Sequence, residues 1–144
     1  MADKQLERVA QWEQEKEDKA AQDFRLAQQH ADLQRQRLSQ LEVYRLDYMR
    51  QSREKAQQGL NARNLNQQLA FVAKLDTACE QQMHAVSQAK MVAEQRKTQW
   101  LKQQQKRKAV ELLLDKKRAQ KAALEARQEQ QLLDELATQR YVRR

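Results

Sequence analysis

The chain has 144 residues, a net charge of +8, a single glycine and no proline. Charged residues make up 33% and aromatic residues 5%, and mean hydropathy is −1.12. So little apolar material excludes a wide globular core, and so few turn residues exclude a chain that reverses many times.

The common residues are Gln, Ala, Lys, Arg, Glu and Leu, all good helix formers. A polar, charged chain can also be disordered. Here the scarcity of Pro, Ser and Gly and the helical recurrence of apolar residues argue against it. The N-terminus lacks an apolar signal core and no segment approaches membrane-spanning length, so a cytoplasmic protein is expected.

Before Gly59, steps of four and three fall on Leu6, Ala10, Glu13, Glu17, Ala20, Phe24, Ala27, Ala31, Gln34, Leu38, Leu41, Arg45 and Tyr48. A repeat this long predicts a coiled-coil helix with weak layers at Glu13, Glu17, Gln34 and Arg45. Three asparagines and the only glycine then fall within residues 59–66. Glycine can end a helix at positive φ, and Asn61 or Asn64 can cap the next one. One unbroken helix is the alternative, since a mid-helix glycine costs only ~1 kcal/mol relative to alanine.

After the turn the same steps give Leu65, Leu69, Val72, Asp76, Cys79, Met83 and Val86. Ala89, Ala93, Trp100, Val110 and Leu114 follow in a second register, and Leu124, Leu132 and Leu136 in a third. Neither helix can hide its apolar stripe alone. The expected fold is all-α, with two long helices forming an antiparallel coiled-coil hairpin in one domain. The boundaries are helix one at about 3–57, a turn at about 58–64, helix two at about 65–138 and a tail at about 139–144. Cys79, the lone cysteine, reads as a small apolar seam residue.

Ten cations lie between Arg96 and Lys121, opposed only by Glu111 and Asp115, and the chain ends in Arg140-Tyr-Val-Arg-Arg. An electropositive rod suits an acidic protein cavity or nucleic acid. The sequence has neither a recognisable nucleic-acid module nor a platform of stacking aromatics. His30 and His84 fall on different helices without ligand partners at metal spacing. One glycine cannot build a phosphate-cradling loop. A two-helix rod offers no concave pocket for chemistry. The expectation is a non-enzyme with no catalytic, cofactor or metal site and no small-molecule substrate.

Leu41, Tyr44 and Tyr48 share one helix face, and Phe71, Leu75, Ala78 and Gln82 share another. Both sets lie about a dozen residues from the turn, hence at one height in a hairpin. Ordinary seam packing would explain them. With Leu69, Val72, Cys79 and Met83 already assigned to the seam, however, Phe71, Leu75 and Ala78 form an additional strip suited to docking.

In this order, Leu-x-x-Tyr-x-x-x-Tyr at residues 41–48, Gly59, Phe-x-x-x-Leu-x-x-Ala at 71–78, Trp100 before the basic stretch and Asp-Glu-Leu-Ala at 134–137 resemble the bacterial flagellar export protein family FliJ. Gln82 and Arg37 depart from it, standing where the family often has histidine and glutamine. The family is similar to the γ stalk of rotary ATPases. The resemblance implies a component of flagellum biogenesis, motility and chemotaxis that acts in type III protein transport. Its terminal end would enter the hexameric export ATPase FliI, with Arg140, Arg143 and Arg144 facing acidic pore residues. Phe71, Leu75 and Ala78 would meet the export gate protein FlhA, and Leu41, Tyr44 and Tyr48 would extend that surface or bind export chaperones for recycling. The protein would then be cytoplasmic and peripheral to the inner membrane at the flagellar base. A stalk of a virulence secretion system or rotary ATPase, or a generic basic scaffold, are the competing readings.

Overall fold

A computed structural model describes residues 2–59 and 61–143. Two helices account for nearly all of them, α1 at Ala2–Gln57 and α2 at Ala62–Arg143. The fold is an all-α helical hairpin.

The turn is shorter than expected. Gln58 and Gly59 donate backbone N–H bonds back to the carbonyls of Lys55 and Ala56 (3.1 and 3.3 Å), closing the last carbonyls of α1. Gly59 has φ +89°, a region that favours a residue without Cβ. Of the two possible caps, Asn61 is used: its Oδ1 accepts the N–H of Asn64 (3.0 Å). An unbroken helix is thereby excluded. At the other end, the stretch expected to be a tail is helical as far as Arg143.

The chain divides into two compact units, residues 20–100 and residues 1–19 with 101–144. In the first, Tyr48 meets Phe71, Arg45 meets Asp76, Gln34 meets Gln82 and Phe24 stacks on Trp100. Numbers fall along α1 as they rise along α2, so the helices run antiparallel. Ala31, Leu75, Cys79, Val86, Ala89 and Ala93 are its buried hydrophobic residues. Alanines at the seam let two helices approach closely.

In the second unit the order is also antiparallel: Asp3 with Lys121, Glu7 with Arg118, Glu13 with Gln103 and Glu17 with Arg107. Its seam is far more polar. Asp3, Lys4 and Glu7 still share a shallow groove with Ala122 and Glu125; beyond Glu125 no described residue of α1 lies alongside, and residues 122–143 are exposed along their whole length.

On α1 all thirteen seam positions are buried or half-buried. On α2 the assignment needs correction. Leu69 and Met83 are 59% and 55% exposed, while Leu75 is 7% exposed. The seam follows Gln68, Val72, Leu75, Cys79, Gln82, Val86, Ala89 and Ala93, and the same heptad count continues through Trp100, Gln103, Arg107, Val110 and Leu114. It therefore holds one register where three were expected. Leu124 stays in phase with it but is exposed, and Leu132 and Leu136 lie outside it, exposed. Gln82, Gln103 and Arg107 occupy seam positions on α2 opposite polar partners on α1, Gln34, Glu13 and Glu17.

Candidate functional site

Around Phe71 the first unit gathers the aromatic residues singled out by the sequence. The Tyr48 ring lies 4.6 Å from that of Phe71, tilted by 54°. Tyr44 meets Phe71 edge-on, 6.4 Å away at 79°. Such offset and T-shaped arrangements suit the ring quadrupoles. One aromatic of α2 is thus gripped by two from α1, one helical turn apart. Tyr44 remains 51% exposed, whereas Tyr48, Leu41, Phe71 and Ala78 are half-buried.

Leu75 is held inside the hairpin, so Phe71, Leu75 and Ala78 are not a strip additional to the seam. They flank or belong to it. The exposed apolar surface of this unit instead includes Val43, Tyr44, Leu46, Leu69 and Met83. Hydropathy alone could not separate these from the seam, because they are as apolar as Val72 and Leu75 within it, while Gln68 and Gln82 of the seam are polar. The polar partners across the seam are the signal that separates them.

Gln82 is part of the seam. Its Nε2 donates to the backbone carbonyl of Gln34 (2.8 Å) and to Gln34 Oε1 (2.9 Å). Nearby, Arg45 forms an ion pair with Asp76.

In the second unit Glu17 is buried and bonded to Arg107, which also donates to Glu111 (2.7 Å). The hydrogen bond to Glu17 raises the guanidinium pKa above the ordinary arginine value, against desolvation and with help from Glu111. Arg118 is raised in the same way, chiefly by its bond to Glu7. Gln103 donates to the backbone carbonyl of Glu13 (3.2 Å) and to its carboxylate.

The terminal cations Arg140 and Arg143 lie in the last turn of α2. Both are exposed, and cations there complement the helix dipole. Arg144 lies outside the described residues. Arg140 shares a shallow groove with Leu133, Leu136, Ala137 and Tyr141. Among the described residues no three His, Cys, Asp or Glu side chains converge as a metal site. Among the described residues no helix is long and apolar enough to cross a membrane.

These features define an all-α helical hairpin whose distinctive chemistry lies along its seam and its exposed faces. Residues 2–144 match the family described as flagellar FliJ protein, and the chain belongs to that family. It is accordingly a component of flagellar protein export. No curated protein and no solved structure gives a significant match.

Proposed function

We propose that the chain is the central stalk of the flagellar export ATPase, with the end of α2 seated in the FliI ring. The observation that carries this reading is the length of α2 past its partner helix. Residues 126–143 are helical with no described α1 residue beside them. Leu132, Leu133 and Leu136 are exposed there, 47–58% each. Helices in proteins gain most of their stability by packing an amphipathic face, and the open leucines here favour a surrounding partner. Arg140 and Arg143, with Arg144 at the end of the sequence, supply cations for an acidic pore.

In the other unit the aromatic cluster serves the gate protein FlhA and the export chaperones. Tyr44 is its exposed member, with Leu41, Tyr48 and Phe71 shaping the surface around it. Leu75 and Ala78 support that surface from the seam. The partners place the chain at the cytoplasmic face of the inner membrane, peripherally and without a membrane span of its own.

The test is removal of residues 138–144, followed by ATP turnover of the ATPase and co-purification with the gate protein. Turnover stimulation falls and gate binding persists if the reading holds. Equal loss of both would count against it.

A further inference from the structure

Residues 3–19 of α1 carry six carboxylates against four cations, and residues 101–121 of α2 carry eight cations against two carboxylates. Every ion pair joining the two stretches runs the same way. Asp3 meets Lys121 (4.0 Å), Glu7 meets Arg118 (2.9 Å) and Glu17 meets Arg107.

Apolar support is thin. Leu6 and Ala10 are only half-buried, and Leu114 is the one buried hydrophobic side chain of this unit among the described residues. Exposed ion pairs such as Glu7–Arg118 contribute little and weaken with salt. A segment held by few apolar contacts opens at a small fraction of the global free energy. Nor does α2 depend on it, since residues 126–143 are helical with no described residue of α1 against them.

We infer that residues 3–19 are a detachable acidic strap, and that the strip beneath, Arg107, Val110, Leu114, Arg118 and Lys121, docks an acidic amphipathic helix of a partner protein in the strap's place. The strap itself defines the occupant: carboxylates placed as Glu7 and Glu17 are, with a small apolar residue, as Ala10 is, between them on the seam face. A helix of that pattern reproduces both arginine contacts and covers the same apolar residues. While closed, the strap withholds the strip, so docking is autoinhibited. This inference concerns residues before the unpaired end of α2 and does not rest on the stalk reading.

The probe is a labelled peptide with the sequence of residues 2–19, offered in trans to the full chain. Three forms are compared at low salt: wild type, Glu7→Gln with Glu17→Gln, and a control, Glu15→Gln with Asp23→Asn. The control changes net charge equally at exposed carboxylates that make no cross-helix pair. The strap variant binds the peptide about tenfold more tightly than wild type, because a charge-assisted bond is worth about that much, and the control matches wild type. Equal tightening in both variants reduces the effect to bulk charge and overturns the inference, as does no tightening in either. A short DNA duplex that outcompetes the peptide on the strap variant would overturn the assignment to a helix. In wild type, hydrogen exchange of amides 3–19 rises with salt while that of amides 24–50 does not. Equal protection of the two stretches at every salt concentration also overturns it, even if the variant fails to fold.

Discussion

Gln82 grips Gln34 twice, at its side-chain oxygen and at its backbone carbonyl, through one carboxamide nitrogen. Three heptads away along both helices, Gln103 repeats the grip on Glu13. Each pair joins a polar seam position of α2 to one of α1, where hydropathy alone would call for leucine. Such layers hold alignment because a slipped helix leaves a buried carboxamide unpaired.

Replacing one partner exposes that cost. Gln82→Ala should destabilise the chain by about 1–3 kcal/mol, since Gln34 is then buried without its donor. Replacing Gln34 and Gln82 together by leucine should recover most of that loss, because no polar group is left unsatisfied. Thermal melts followed by far-UV circular dichroism compare the three chains.

Gln68 provides the converse case. Its Oε1 is buried without a hydrogen-bond partner. Gln68→Leu should therefore raise stability by about 1 kcal/mol. A lower midpoint in urea would show that the carboxamide has a partner in solution.

The corrected register of α2 makes opposite predictions for neighbouring leucines. Leu75→Ala should cost about 2–5 kcal/mol, as expected for a buried leucine. Leu69→Ala should stay within about 0.5 kcal/mol, as for an exposed one. Equal effects in chemical denaturation would return Leu69 to the seam.

At the turn, Gly59→Ala should cost about 1 kcal/mol through its positive φ, although a Cβ there would meet nothing within 4 Å. Asn61→Ala should lose about as much by removing the cap on Asn64. Melting temperatures of the two single variants and the double variant check whether the losses add.

Arg107 sets a dependence on alkaline pH. Its pKa is raised in the folded state by Glu17, so its contribution is full below the ordinary arginine value and is lost only as pH rises through the still higher folded value. Wild type should thus keep this pair throughout the practical alkaline range. Arg107→Lys moves the loss downward, because a lysine titrates near ~10.4 unless its partner raises it. Amide exchange of residues 3–19 at pH 9 and pH 11 should separate the two chains.

How much of this was legible in sequence differs between the helices. On α1 one heptad count runs from Leu6 to Tyr48, and its polar interruptions stayed in phase with the apolar residues around them. On α2, Leu69 and Met83 offered an apolar sequence beside the true seam, while Gln68, Gln82, Gln103 and Arg107 concealed it. The weak layers Glu13, Glu17 and Gln34 already called for polar partners, and those partners are what identify the α2 register. The aromatic cluster was legible as a height on the hairpin. Its packing was not, because spacing along a helix does not say whether Phe71 faces a tyrosine or solvent.

The groove of Leu133, Leu136, Ala137, Arg140 and Tyr141 has one more consequence. Continued along α2, the heptad count of Leu114 would pass through Gln131, Glu135 and Thr138, about two residues out of step with this stripe. At about 100° per residue, that places the stripe on nearly the far side of the helix. A partner seated on this stripe would meet α2 from another compass bearing than α1 does. Angular phase is then part of the design: inserting one residue between Leu114 and Leu132 swings the two faces relative to each other by a quarter turn or more. Inserting seven nearly restores them, so spacing matters here modulo the heptad.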